Sequence, residues 1–307
     1  MTTIYDLDEC MLSYKNASYG GSRKKEGIIF NNKEWLIKYP HRKLENVSEA
    51  YSSYQVSEYI GSHIFEILGY DVQNTILGIR NNILVVGCED FATNGRNLME
   101  MKTIKNVHIE TADVDLPLRK YSGNDVDELM FHFDNNPVLQ EVPNIKRHFF
   151  EQAIVDIFIG NACRYNDNWG IIRQKDNAAV PAPIYSSGNC FELRMSDEQI
   201  KEIITKSEFT DHSIAIMTAY SSNGINLSAA DFIEKYTRDK CFISAIENNI
   251  PVMNEKMQEI TKLIMEIPEK IINSNSVEIF IISDIRKEAI LKQMKNRFEM
   301  LLMPLEQ

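Results

Sequence analysis

Two short motifs decide how this sequence is interpreted. They are Gly-Asn-Ala-Cys-Arg-Tyr-Asn-Asp-Asn-Trp-Gly at residues 160–170 and Pro-Ile-Tyr-Ser-Ser-Gly-Asn at residues 183–189. Apolar residues recur at helical spacing over residues 144–161, so a predicted helix leads directly into the first motif. The residues from 160 to 189 are therefore the starting point for both fold and function.

The two motifs resemble the catalytic and metal-binding loops of the HipA-like serine/threonine kinases, including the CtkA-type members. In that family the patterns are roughly G-N-x-D-R-x-x-x-N-x-G and P-[IV]-Y-D-x-G. The frame matches here, but Cys163 stands where the family places its catalytic base, and Ser186 stands where it places its main magnesium ligand. The resemblance implies an α+β, bilobal, protein-kinase-like (HipA-like) fold with a β-rich N-lobe and a helical C-lobe.

Three further residues of the first motif match family positions. Asn168, five residues after the base position, matches the metal-binding asparagine. Asn161 matches a structural asparagine, and Arg164 matches the arginine that follows the base position. Asp156 lies within the preceding helical pattern, where it either orients the loop, caps a helix or forms an ion pair.

Hydrophobic patterning predicts a β-rich N-lobe over residues 1–91. The patterns over residues 27–39 and 75–86 each predict a hairpin around an Asn-Asn turn. Apolar residues at helical spacing predict a helix over residues 55–69 between the two hairpins. Two hairpins around one helix match the plan of a kinase small lobe, although many α+β domains share that plan.

The resemblance implies a nucleotide site in this lobe. Gly20, Gly21 and Ser22 precede the first hairpin, where glycines let backbone N–H groups approach phosphate. Lys38 would contact the phosphates, and Glu58 would orient it. The hinge that holds adenine through its backbone falls on Cys88, Glu89 and Phe91. Taken alone, a Gly-Gly-Ser turn, a strand-end lysine and a helix glutamate on the polar face are ordinary surface features.

The remaining residues, 92–307, are predicted to form the mainly helical C-lobe. Helical periodicity covers six segments: 124–135, 144–161, 196–206, 227–247, 252–266 and 283–302. Pro251 and Pro268 are predicted to interrupt the helices of the C-terminal segment. A capping signature at Ser283 predicts the start of the last helix.

Composition limits the classes of function. The net charge of −11 disfavours a nucleic-acid partner, because phosphate binding requires an excess of Lys and Arg. No apolar run approaches the roughly 20 residues that span a bilayer, and the acidic N-terminus is not a secretory signal. The five scattered cysteines fit free thiols in a reducing compartment. We therefore expect a cytoplasmic protein without a membrane partner, and non-classical export stays open.

The two replacements bear directly on activity. A serine hydroxyl is a far weaker magnesium ligand than a carboxylate, and a thiol is a poor substitute for a carboxylate base. Loss of both groups predicts weak or absent phosphoryl transfer. ATP remains a possible ligand, with magnesium weakly bound or absent.

Three other side chains are candidates to restore phosphoryl transfer in place of the missing carboxylates. Asp167 next to Asn168 would supply a displaced carboxylate, or it simply caps the loop. Glu192 would approach from beyond the second motif. Cys163 would act as a nucleophile only with a histidine partner, and the nearest candidate is His148 on the preceding helix.

Three hypotheses follow from the sequence. The first is a HipA-like pseudokinase that acts by binding or regulation and keeps a nucleotide pocket. The second is a divergent ATP-dependent serine/threonine kinase with a relocated carboxylate. The third is an active kinase inactivated by engineering, for which cysteine is an unusual replacement. Each implies a protein partner or substrate that the sequence does not identify.

Overall fold

The computed structural model describes residues 2–14, 24–40, 54–111, 124–191 and 195–305. The chain forms two compact units, each built from several segments. The first contains Met1–Asp90, Ser187–Asp211 and Lys256–Gln293, and the second contains Phe91–Ser186, His212–Glu255 and Met294–Gln307. The second unit thus begins at Phe91, while two later segments pack with the first.

A five-stranded sheet organises the first unit. Its strands are β1 (Ile4–Asp6), β2 (Lys25–Phe30), β3 (Lys33–Lys38), β4 (Thr75–Arg80) and β5 (Ile83–Glu89), in the order β1-β4-β5-β3-β2. Strand β1 is parallel to β4, and the other pairs are antiparallel. Helix α1 (Tyr54–Ile67) contacts β4 and β5. This confirms the two predicted hairpins and the helix between them.

Asparagine pairs close both hairpins. Asn31 and Asn32 have φ of 50° and 60°, and Asn81 and Asn82 have φ of 54° and 59°. Positive φ at both central residues defines the type I′ turn, whose twist matches that of paired strands, and asparagine tolerates this conformation. The sequence signal and the observed turn therefore have the same physical cause.

The rest of the described residues are mainly helical, with three small sheets. The helices are α2 (Met101–Thr111), α3 (Val126–Asn135), α4 (Pro137–Gln140), α5 (Ile145–Ile159), α6 (Asp197–Ile203), α7 (Ser207–Ile214), α8 (Ala229–Tyr236), α9 (Lys240–Met265) and α10 (Asp284–Leu302). The strands are β6 (Asn97–Glu100), β7 (Gly170–Arg173), β8 (Ala179–Pro181), β9 (Met217–Ser222), β10 (Ile225–Ser228), β11 (Lys270–Ile272) and β12 (Glu278–Phe280). Among the residues described, no helix is long and apolar enough to cross a membrane.

Two helix boundaries differ from the prediction. The segment 227–247 splits, because Thr237 to Asp239 separate α8 from α9. The predicted break at Pro251 is wrong, since α9 continues through it. Buried Ile246, Ile250 and Met253 anchor this helix on both sides of the proline, and that packing outweighs the lost backbone hydrogen bond.

Each unit has its own apolar core. In the first, Trp35 and Ile37 of β3 and Val85 of β5 pack in one buried apolar cluster. In the second, aromatic rings surround Phe149, which lies 5.6 Å from Trp169 and 5.2 Å from Tyr220 between ring centroids. This aromatic core holds α5 and Trp169, near the end of the first motif, and so it supports the candidate catalytic loop.

Candidate functional site

A buried ion pair joins Lys38, at the end of β3, to Glu58 in α1. The Lys38 Nζ to Glu58 Oε2 distance is 2.9 Å, and the side chains are 7% and 1% exposed. The Ser187 N–H donates to the other oxygen, Oε1, at 2.9 Å. Glu58 lies on the side of α1 opposite the predicted apolar stripe, but these partners make burial of its charge tolerable.

The pKa values of this pair reflect competing effects. Burial acts to raise the pKa of Glu58, but the charge and hydrogen bond of Lys38 and the Ser187 N–H outweigh it, so the pKa is lowered. Burial acts to lower the pKa of Lys38, but Cys88, Glu58 and Tyr54 raise it well above its usual value. Both groups are therefore charged at neutral pH.

Residues 187–190 dock closely against α1. A Cβ on Gly61 would lie 2.7 Å from the Cβ of Ser187, and a Cβ on Gly188 would lie 2.2 Å from Cε2 of Tyr54. The Cys190 thiol donates to the Ser57 carbonyl at 3.0 Å. The two glycines thus permit the contact that brings the Ser187 N–H to Glu58.

The predicted hinge continues the sheet. Cys88 is buried in β5, and burial raises the pKa of its thiol to about 12, with Lys38 opposing that effect. The Glu89 N–H donates to the Asn74 carbonyl, and the Glu89 carbonyl accepts from Gln73 Nε2, both at 2.9 Å. The backbone groups of Glu89 are therefore already bonded within the first unit. Phe91 packs on Tyr185, 5.6 Å between ring centroids.

The predicted phosphate loop at Gly20, Gly21 and Ser22 lies outside the described residues, as does Glu192. Both stay predictions.

Gly160 sets where the first motif begins. It ends α5 with φ of 69°, and its N–H donates to the carbonyls of Asp156 and Ile157. The Asn161 N–H then donates to the Asp156 carbonyl at 2.8 Å. This is a Schellman termination, which turns the chain sharply out of the helix and into the loop.

Asp156 is the anchor of the loop. Arg164, which is fully buried, donates to both carboxylate oxygens of Asp156 at 2.8 and 2.9 Å. Asn161 Nδ2 also donates to this carboxylate, at 2.9 Å. Arg164 Nη1 donates to the carbonyls of Asn168 and Tyr185, which links the two motifs. Of the alternatives left open for Asp156, the ion pair that orients the loop is the one observed.

Cys163 and Asn168 lie together in this loop. Asn168 Nδ2 donates to the Cys163 carbonyl at 2.8 Å, which directs the other end of the amide, Oδ1, away from that bond. The Cys163 side chain is half-buried. The pKa of Tyr165 is raised, first by the negative charge of an ionised Cys163, then by burial and by a hydrogen bond between the Tyr165 hydroxyl and Cys163.

Ser186 has a left-handed backbone, with φ of 64°. Aspartate and asparagine adopt this region several times more often than most residues, because their side chains bond locally. The backbone at position 186 is therefore one that a carboxylate residue would occupy readily.

Two of the alternative groups, Asp167 and His148, lie within the described residues. Asp167 is exposed, and its carbonyl accepts from the Tyr185 hydroxyl at 3.4 Å. His148 lies in the first turn of α5 and Cys163 follows its last turn, so about 16 Å of helix separates them. Within the described ranges, no group of three or more His, Cys, Asp or Glu side chains is arranged to hold a metal ion.

Sequence reasoning missed several residues that shape this site. Ser187 supplies the second partner of Glu58, and Tyr54 packs on Gly188. Asn124 bonds the backbone of the first motif on both sides of Tyr165. No local signal marks them, because each acts on residues that are distant in the sequence.

The architecture and this pair of loops define a protein of the kinase-fold class. A crystal structure of a Helicobacter pylori proinflammatory kinase CtkA matches with a TM-score of 0.84 at 23% identity, covering 99% of this chain and 98% of that one. A chain from the Shewanella oneidensis MR-1 toxin–antitoxin complex of HipA, HipB and operator DNA matches with a TM-score of 0.53 at 12% identity, covering 96% and 68%. These likenesses confirm the predicted HipA-like α+β fold.

The sequence comparison makes the assignment more specific. Serine/threonine-protein kinase CtkA of Helicobacter pylori (strain J99) is 26% identical over 279 residues, which are 84% of this chain and 83% of that protein. No family model matches the sequence. The chain is thus similar in sequence to CtkA and has a HipA-like fold, and the two likenesses together support a HipA-like, CtkA-type kinase family.

Proposed function

We propose that this chain is a HipA-like pseudokinase that binds a nucleotide and acts through binding or regulation, with phosphoryl transfer weak or absent. One observation carries the proposal. The loop keeps the scaffold of Asp156, Asn161, Arg164 and Asn168, while a thiol and a hydroxyl stand at the two positions where the resemblance places carboxylates.

The buried pair of Lys38 and Glu58 supports the nucleotide-binding part. Burying two charges costs several kcal/mol per ion, so such a pair is weak evidence for stability alone. In kinases the equivalent pair holds the lysine that contacts the phosphates, and it must be in place for that contact. ATP is accordingly the nucleotide we expect, with Lys38 as its phosphate ligand in the first unit.

Magnesium fits the present residues poorly. Mg²⁺ demands near-octahedral oxygen ligands and is usually bound through one or two carboxylates plus substrate phosphates. At positions 168 and 186 the side-chain oxygens are an amide and a hydroxyl, and position 163 has a soft sulfur. We therefore expect nucleotide to bind without a strong requirement for magnesium, and no catalytic step is assigned to the metal.

Calorimetric titration with ATP tests this function. We expect binding in EDTA, with added Mg²⁺ changing the Kd by less than about threefold. The Lys38→Met/Glu58→Leu double variant removes the phosphate ligand without leaving a buried unpaired charge, so it should weaken binding by about tenfold or more. Lys33→Met is the matched control, because Lys33 lies on the same strand in an exposed pair with Glu89.

The outcomes are distinct. No heat of binding under either condition would refute the nucleotide site. A magnesium-dependent gain of a hundredfold would show that a carboxylate holds the metal, and would favour an active kinase. Equal loss of binding in Lys33→Met and in the double variant would show that Lys38 is not the phosphate ligand.

A second candidate, a serine/threonine kinase with a relocated carboxylate, rests on the exposure of Asp167 beside Asn168. Radiolabelled phosphotransfer with Mg²⁺ or Mn²⁺ separates the two. Activity that is abolished by Asp167→Asn would favour the kinase. Absence of label in the unmodified chain would favour the pseudokinase.

A further inference from the structure

Asn124 is a buried amide just before α3. Only 5% of the residue is exposed. The next residue, Asp125, caps the helix by accepting from the N–H groups of Asp127 and Glu128. The capping role belongs to Asp125, so it does not explain why a polar side chain is buried at position 124.

The Asn124 amide joins two other segments of the second unit. Its Nδ2 donates to the carbonyls of Arg164 and Ala219, both at 3.0 Å. Its Oδ1 accepts from the Asn166 N–H at 2.9 Å. Both N–H donors and the oxygen of the amide are thus bonded to backbone groups.

Strand β9 holds the backbone of Asn124. The Ser221 N–H donates to the Asn124 carbonyl at 3.0 Å, and Asp125 forms an isolated parallel bridge with Ser221. Because the backbone of Asn124 is held in this way, its side chain is a fixed support for the loop.

The two loop groups that it bonds flank Tyr165. On one side lie Arg164 and then Cys163, whose carbonyl accepts from Asn168 Nδ2. On the other side, the Asn166 carbonyl accepts from the Lys102 N–H at the start of α2, at 2.8 Å. The bonds of Asn124 therefore fix the turn that separates Cys163 from Asn168.

We propose that Asn124 is a positioning residue for the loop of the first motif. It holds the turn at Tyr165, so that the Cys163 side chain and the Asn168 amide keep their relative placement. The functional meaning rests on the proposed function, since these two residues stand at the base and metal positions of the resemblance. The required group must offer two donors and an acceptor in one plane at short reach, and among side chains the amide of asparagine meets this need.

Alkylation of Cys163 tests the proposal without any nucleotide. All five cysteines are described and none forms a disulfide, and Cys10 and Cys241 are half-buried like Cys163, so they serve as internal references. Iodoacetamide labelling of the full chain is followed by peptide mass mapping. Asn124→Ala should accelerate labelling of Cys163 by about fivefold or more, because losing buried hydrogen bonds worth about 1–3 kcal/mol raises the open population of the loop.

Two variants separate positioning from general stability. Asn124→Asp keeps the acceptor for the Asn166 N–H but places a carboxylate against two carbonyls, so it should also accelerate Cys163. Asn249→Ala removes a buried asparagine whose side chain donates to the Ala245 carbonyl within α9. It should lower the melting temperature while leaving the Cys163 rate within about twofold of the unmodified chain.

Amide hydrogen exchange on the unmodified chain gives a test that needs no variant. The Asn166 N–H should be protected to the level of its neighbours in β7, because its acceptor is the side chain of Asn124. Exchange of this amide at the rate of an exposed loop would overturn the proposal. So would a Cys163 labelling rate that is unchanged in folded Asn124→Ala. Failure of ATP binding would instead refute the proposed function and leave these two measurements valid.

Discussion

Lys38 and Glu58 are bonded through one carboxylate oxygen, and the backbone of Ser187 occupies the other. Removing one partner leaves an uncompensated buried charge, so we expect Lys38→Met to lower the free energy of unfolding by about 3–5 kcal/mol. Lys38→Met/Glu58→Leu should be less destabilised than Lys38→Met, because no charge stays buried. Urea denaturation measures both.

The exposed pair of Lys33 and Glu89 provides the comparison for that experiment. Its lysine side chain is 54% exposed, so Lys33→Met should cost no more than about 1 kcal/mol. If the double variant at positions 38 and 58 cost as much as the sum of the two single variants, the two charges would be acting independently, contrary to the observed contact.

Gly188→Ala should destabilise the first unit through a single clash. The added Cβ would lie 2.2 Å from the Tyr54 ring, which cannot yield by rotating a flexible tip. Overpacking of this kind costs about 1–3 kcal/mol. In a Tyr54→Ala background the same change should cost much less, and a thermodynamic cycle of unfolding free energies checks it. An unchanged cost in that background would show that the backbone, and not the ring, excludes the side chain.

Stability should fall as pH decreases from neutral, partly through His148. Burial lowers the pKa of His148 to about 4, while the unfolded chain has its ordinary value near 6.5. Between these values the unfolded state binds more protons, so the free energy of unfolding decreases as pH falls from about 6.5 toward 4. His148→Gln should reduce this slope in denaturation curves measured across that range.

Exposed His212 supplies the control for the pH experiment, because it lies at the surface of α7. His212→Gln should leave the slope nearly unchanged. Equal slopes in the unmodified chain and in His148→Gln would show that His148 titrates at its ordinary pKa in the folded protein.

Some elements could be predicted from the sequence because their signals are local. The Asn-Asn pairs specify the two hairpin turns, and Gly160 specifies the end of α5. Helix α2 went unpredicted, because polar residues interrupt its apolar spacing and its stability comes from contacts made by buried Met101 and Ile104. The short strands β6 to β12 were not predicted either, because three to six residues give too little alternation of apolar and polar residues to detect.

Some residues of the candidate site could also be identified from the sequence, and others could not. Arg164, Asn161 and Asn168 were identifiable because they lie within one motif. The burial of Glu58 was not, because helical periodicity placed it opposite the apolar stripe, and only Lys38 and Ser187 make its buried position favourable. Asn124 has its partners 40 or more residues away, so no sequence window contains the reason for its presence.

The last prediction concerns Cys163 and Ser186 together. If the scaffold is that of a degenerate kinase, Cys163→Asp with Ser186→Asp should create phosphoryl transfer, because the step needs the metal bound and the hydroxyl proton accepted in the same transition state. The left-handed backbone at 186 accepts aspartate more readily than serine, and Asn168 is already bonded to the carbonyl of residue 163. Radiolabelled transfer should rise by about a hundredfold or more in the double variant, and either single change should do little. Cys163→Asn with Ser186→Asn is the matched control, since it has the same shape without the charges. Activity in that control, or equal activity in one single variant, would show that the two positions do not act as base and metal ligand.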